Sequence, residues 1–221
     1  MILLENISSV FLIFLLAYII YLSVRNNKLI GIYNIFSLLA TLSFLQILFS
    51  KYLSSSAINQ ETEIANSLSI IIYIILEFGI FILFFYSESR TQYIKKVCIG
   101  SIITMFVLIL LAFYFHSRSI NDMQITSAFI ESTILISLSM LVFLEIIFDD
   151  TITSLTTSPY FIITFSIFFF SGITYPFYSL SFFISYSDMI NVNFAFVNNI
   201  AYIIFYLLII KGLKCKILIQ N

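Results

Sequence analysis

IIIYIILEFGIFILFF, Ile70 to Phe85, sets one carboxyl, Glu77, among fifteen side chains suited to lipid. The run around it, 67–86, matches the roughly 20 mainly apolar residues that a helix needs to cross the hydrocarbon core of a bilayer. Its apolar residues are continuous rather than alternating, which excludes a barrel strand. The same rule along the chain predicts helices over 7–24, 29–49, 67–86, 97–115, 124–148, 159–184 and 194–211. The expected fold is all-α: a polytopic membrane protein whose seven-transmembrane-helix bundle occupies 1–221 as a single transmembrane domain.

Composition points the same way. Of 221 residues, 61% are hydrophobic and only 10% charged, where soluble domains carry about 25% charged residues. So few charges cannot cover a water-facing surface, so most side chains must meet lipid or one another. The expected location is a cell membrane, of the bacterial inner-membrane type. A net charge of -1 argues against a nucleic-acid partner, which needs a concentrated basic face. The start, MILLENISSV, lacks the basic region of a cleaved signal peptide, so its apolar run is expected to be a retained helix.

Lysine and arginine set the expected orientation. Arg25, Lys28, Arg90, Lys95, Lys96, Lys211, Lys214 and Lys216 fall on one side of the predicted helices, and only Lys51 and Arg118 on the other. Eight against two places the N-terminus outside and the C-terminus in the cytoplasm.

A carboxyl at a helix centre costs roughly 2.5–3.5 kcal/mol to insert, and each central Ile, Leu or Phe returns about 0.3–0.6 kcal/mol. The third helix has fourteen such residues, so insertion is secured and lateral placement is the harder question. Glu77 facing lipid would find no hydrogen-bond partner. Stepping back by three and four gives Tyr73, Ser69 and Asn66, one polar stripe. Comparable stripes run through Asn34, Ser37 and Thr41 in the second helix, Thr164, Ser171, Tyr175 and Tyr178 in the sixth, and Asn191, Asn198, Tyr202 and Tyr206 in the seventh. These are expected to meet inside the bundle around Glu77, with Tyr73, Asn34, Asn198, Tyr202 and Tyr175 supporting it. With no intramembrane Lys or Arg opposite, Glu77 is expected to rest neutral and to donate a hydrogen bond to a neighbouring helix.

Glu131 and Glu145 lie fourteen residues apart on the fifth helix, sharing a face about 21 Å apart in height. Depths then run Glu131, Glu77, Glu145, a possible carboxylate relay. Equally, Glu145 is solvated with Asp149 and Asp150, or pairs with Lys95 and Lys96. Glu131 is the second candidate switch or coupling residue beside Glu77. In the sixth helix Pro176, four residues after Gly172, is expected to kink or divide the helix, as a hinge or as a static bend.

Absent motifs narrow the function. One histidine, His116, cannot furnish a metalloprotease ligand set, and no metal-ligand spacing, P-loop or serine elbow occurs,. Lys211 ends the last helix rather than lying mid-span, unlike a retinal Schiff-base lysine. The expectation is a non-enzyme without cofactor or metal. Cys98 and Cys215 are read as ordinary free thiols.

The runs Pro159-Tyr160-Phe161-Ile162-Ile163-Thr164 and Phe170-Ser171-Gly172, the start of the last helix (Asn198-Asn199-Ile200) and the acid in ILEF (Ile75 to Phe78) carry a resemblance. The chain resembles small uncharacterised seven-helix integral membrane proteins of Bacteroidota-type bacteria. It departs from them at Tyr160, where Trp is expected. That resemblance implies a sensory or regulatory role beside a sensor kinase. The expected function is thus a receptor-like or regulatory membrane protein, signalling through its basic cytoplasmic segments to a kinase partner. The alternatives are a small-solute or proton-coupled transporter, and a structural subunit of a membrane complex. Its oligomeric state is open.

Overall fold

A computed structural model describes the backbone over residues 2–25, 31–55, 60–115, 120–148, 154–181 and 188–220. Seven helices fill it: α1 (Ile2–Arg25), α2 (Ile32–Ser55), α3 (Gln60–Glu88), α4 (Gln92–Phe115), α5 (Ile120–Ile147), α6 (Pro159–Ser181) and α7 (Asp188–Gln220). A short 3-10 turn, Leu155–Thr157, precedes α6, and no strand occurs among the described residues. Six helices, α2 to α7, are long and apolar enough to cross a membrane, and α1 carries a shorter apolar run, Val10–Leu22. The chain is a multi-pass helical membrane protein.

The helices outrun the apolar segments that predict them. α3 starts at Gln60 rather than 67, and α7 continues to Gln220 rather than stopping at 211. Interfacial Gln, Glu and Lys are good helix formers, and continuing the helix satisfies backbone groups that bare ends leave open. The start of α2 shifts from 29 to 32 because Gly31 holds φ at 143°, a conformation that glycine adopts without strain. From there its carbonyl accepts the Ile35 amide at 3.1 Å. α6 begins with Pro159 in the first turn, where its missing donor costs nothing, and the Phe161 amide donates to Ser158 Oγ at 3.4 Å. It ends at Ser181; the rest of its predicted span lies outside the described residues.

Principal neighbours close a ring: α1 packs on α2 and α7, α2 on α3, α3 on α5, α5 on α6, and α6 on α7. α4 stands outside that ring against α3 and α5. Its outward side chains Ile103, Phe106, Leu110 and Phe113 are exposed, as lipid contact requires.

One end of the ring is filled with aromatic rings. Phe36, Phe81, Phe84, Phe85 and Phe205 are all fully buried. Phe36 meets Phe84 edge-on at 5.5 Å, Phe81 meets Phe205 at 5.8 Å, and Phe84 meets Tyr160 at 5.9 Å. Lipid tails are as apolar as these rings, so complementary packing rather than escape from water holds the helices together. Each favourable ring pair adds about 0.5–1.5 kcal/mol beyond buried area. The aromatic plug occupies the half near Lys96 and Lys211; the other half holds a cavity.

Candidate functional site: a carboxyl-lined cavity in the helix ring

The cavity has a volume of about 400 Å³ and is lined by all six ring helices, with no residue from α4. Its walls come mainly from one half of the bundle, the C-terminal parts of α2 and α6 and the N-terminal parts of α3, α5 and α7, with Leu12 of α1. They reach just past the midpoints of α3 at Glu77 and of α5 at Leu135. At the rim stands Lys51, which is exposed; deeper lie Glu77, 2% exposed, and Glu131, 7% exposed. Leu12, Ile47, Ile70, Ile74, Leu135 and Phe170 supply apolar walls.

Glu77 is held by phenols. Tyr73, one turn back on α3, donates to its Oε1 at 3.0 Å, and Tyr202 of α7 also hydrogen-bonds the carboxyl. Its first partner lies on its own helix, and its second, Tyr202, comes from a neighbouring one. Behind Tyr73, Ser43 of α2 lies 2.8 Å from the Tyr73 hydroxyl and 2.6 Å from that of Tyr206.

Each hydroxyl has one proton to give. Ser43 gives its proton to the Leu39 carbonyl of its own helix at 2.9 Å, so it accepts from Tyr206, and its contact with Tyr73 competes with Glu77 for the Tyr73 proton. The contacts end at Tyr206, 1% exposed and 4.9 Å from Phe205 at the edge of the aromatic plug. Ser43 is their central link, so Ser43→Ala leaves two buried phenols short of a partner. Its expected cost is about 1–1.5 kcal/mol of stability, read as a lower thermal midpoint in detergent, with Thr41→Ala close to neutral.

Glu131 is less satisfied. Its Oε1 is buried without a hydrogen-bond partner among the described residues, as are Ser171 Oγ and Asn198 Oδ1, and all three residues line the same cavity. Native proteins pair the great majority of buried polar atoms. Three unpaired oxygens around one cavity mark it as polar ground, while Ser139 Oγ and Thr164 Oγ1 are buried and unpaired in the other half.

Glu145 is not part of this site. Its Oε1 accepts from the Ser89 hydroxyl at 3.0 Å and from the Arg90 and Thr91 amides at 2.9 and 2.8 Å, and its Oε2 accepts from the Tyr160 hydroxyl at 3.0 Å. The carboxyl thereby ties α5 and α6 to the turn between α3 and α4. With both oxygens engaged, Glu145 is an anchor rather than the third member of a relay or a partner of Lys95 and Lys96. Lys95 instead lies over the Tyr86 ring at 5.7 Å.

Of the five residues expected to support Glu77, the cavity gathers Tyr73, Tyr202 and Asn198. Asn34 is exposed near the start of α2, and Tyr175 stacks on Phe129 at 5.0 Å away from the cavity. The inward side of α2 is not the expected one: Ser43, Gln46 and Ser50 line the cavity while Thr41 faces outward. Thr41 donates to the Ser37 carbonyl at 2.9 Å within its own helix, so it needs no interior partner. Lys51 and Gln124 are lining residues that no sequence pattern singles out. Lys51, exposed near the end of α2, is the one basic residue among the described lining residues.

α6 is not divided at Pro176: the helix runs on to Ser181. Gly172 and Pro176 are both exposed, and a Cβ at Gly172 would meet nothing within 4 Å. The missing proline donor faces the outside of the ring, while Ser171 and Thr174 of the same turn line the cavity. Cys98 and Cys215 are free thiols. His116, Arg118, Asp149, Asp150 and the side chains of Tyr178 and Asn191 lie outside the described residues. Among the described residues, no group of three or more His, Cys, Asp or Glu is arranged to hold a metal ion.

In comparisons with known proteins, no family model, no curated protein and no solved structure matches the chain.

Proposed function

We propose that this chain is a receptor-like, seven-helix membrane protein that binds a small solute in the ring cavity and passes the change to its opposite end. One observation carries this reading: the cavity lies mainly in one half of the bundle, and behind its wall residue Phe170 stands the fully buried aromatic plug, with Phe205 at 5.2 Å from that ring. A carrier needs its site reachable from each side in turn, and five tightly packed phenylalanines oppose that. The hydroxyl contacts from Glu77 through Tyr73 and Ser43 to Tyr206 join the cavity to the edge of the plug.

In this orientation the Lys51 rim faces outside and all seven helices cross the membrane, with the N-terminus outside. The output surface is then the opposite end, where Arg90, Lys96, Lys211 and Lys214 are exposed. Basic side chains there meet anionic lipid as well as an acidic partner surface, and a sensor kinase is the partner class that fits a receptor of this kind.

The test uses Gln46→Cys in a chain with Cys98 and Cys215 replaced by Ser. A small membrane-impermeant thiol reagent is expected to modify it from outside intact cells, while proteoliposomes show no solute flux under imposed proton or sodium gradients. Gradient-driven uptake would replace this proposal with transport, and modification only from the cytoplasmic face would invert the topology.

A further inference from the structure

The cavity's chemistry narrows what it binds. Its charged lining residues are Glu77, Glu131 and Lys51, so acids outnumber the base, and the base stands at the exposed rim. Both acids are more than nine-tenths buried. A buried carboxylate is costly unless a cation or several donors meet it. Glu77 hydrogen-bonds two phenols, whereas Glu131 Oε1 has no partner among the described residues. The group that completes the site must bring donors, and positive charge favours it.

Size and walls separate the classes of cation. A bare metal ion fills only a small part of 400 Å³, and three clustered acidic, imidazole or thiol ligands are lacking among the described residues. Small-molecule sites typically span about 300–1,000 Å³ with mainly apolar walls and a few convergent polar groups, which is the composition here. Tyr73, Tyr202 and Phe170 present aromatic rings to the cavity, Phe170 and Tyr202 lying 4.6 Å apart. Such rings attract a cation over their faces and pack an apolar body equally well.

We infer that the cavity takes a small organic cation, a protonated amine with a compact apolar body, its ammonium group seated between Glu77 and Glu131. An ammonium carries three donors and no acceptor, which suits the unpaired oxygens of Glu131, Asn198 and Ser171. The apolar part lies against Leu135, Ile74 and Phe170. This rests on the assignment of the cavity as a ligand site, and it adds the charge and class of the ligand.

The experiment is equilibrium binding and thermal unfolding of the purified full chain in lipid nanodiscs near neutral pH. The probes are 2-phenylethylamine, its neutral isostere 2-phenylethanol, and sodium chloride at matched ionic strength. The amine is expected to bind and to raise the unfolding midpoint, with the alcohol at least tenfold weaker and sodium inert. Glu131→Gln is expected to weaken the amine at least tenfold and leave the alcohol unchanged, while Tyr175→Phe, outside the cavity, leaves both unchanged. Equal binding of amine and alcohol would overturn the cation class yet keep the cavity as a ligand site. Stabilisation by sodium alone would replace the amine with an ion. If neither organic probe binds while the Gln46→Cys accessibility result holds, the amine class is refuted and the one-sided cavity stands. The wild-type comparison decides even if Glu131→Gln does not fold.

Discussion

Glu145→Ala is expected to lower the stability of the bundle by about 3 kcal/mol. The substitution strips an acceptor from four donors: the Ser89 and Tyr160 hydroxyls and the Arg90 and Thr91 amides. Ser89 is buried and Tyr160 half-buried, so their hydroxyls lose a partner where water enters poorly. Arg90 and Thr91 are exposed, and water recovers part of what their amides lose, which keeps the figure below the sum of four charge-assisted bonds. Glu145→Gln retains a carbonyl oxygen for the two amides, and its NH2 can donate to the Tyr160 hydroxyl, so its cost is expected to stay under about 1 kcal/mol. Thermal unfolding in detergent ranks the two variants. Amide hydrogen exchange supplies the specific signature: protection at Arg90 and Thr91 should fall sharply in the alanine variant and little in the glutamine one. Equal loss in both would mean that the charge rather than the acceptor geometry is the source of stability. No loss in either would remove Glu145 from its anchoring role.

Gly212→Val is expected to cost about 2–3 kcal/mol through overpacking. A Cβ at position 212 lies 2.7 Å from Ile163 Cγ1 and 3.3 Å from its Cδ1, with the Pro159 carbonyl oxygen at 3.5 Å. Ile163 is fully buried on α6 and its Cγ1 sits close to the backbone, so it has little room to swing aside. Small residues at such crossings let helices approach in a membrane, and α6 and α7 both contribute walls to the cavity. A double-mutant cycle isolates the contact. Gly212→Ala alone should destabilise, and Ile163→Ala alone should cost about 2–4 kcal/mol by opening a void. The double variant should cost clearly less than the sum, because the alanine methyl enters the space that isoleucine vacates. Strict additivity would show that α6 and α7 do not meet there.

These contacts also show which parts of the molecule the sequence discloses. Helix number and type follow from apolar run length, because a bilayer leaves few alternatives. Glu77 and Tyr73 are recognisable from their spacing of four on one helix, and Tyr202 and Asn198 from their place on the last. α2 misleads for a physical reason. Asn34, Ser37 and Thr41 repeat at helical intervals, and so do Ser43, Gln46 and Ser50 on another face. In lipid both faces are mostly apolar, so periodicity cannot choose between them. A hydroxyl that bonds to its own helix, as Thr41 does, costs little facing outward, whereas Ser43 matters through Tyr73 and Tyr206, which arrive from other helices. Glu145 shows the same limit. Its spacing from Glu131 suggests a relay, while three of its four partners sit in a turn more than fifty positions away in the chain. Nothing local to either segment announces that pairing.

The closed ring has a consequence for biosynthesis. A ring that closes through α1 and α7 stays open until the last helix has left the ribosome. α7 delivers Tyr202 to Glu77, Tyr206 to the hydroxyl contacts and Phe205 to the plug, so the cavity comes into being only once α7 has docked. A chain that stops short carries its mid-membrane acid in an unfinished wall, where membrane quality control can find it.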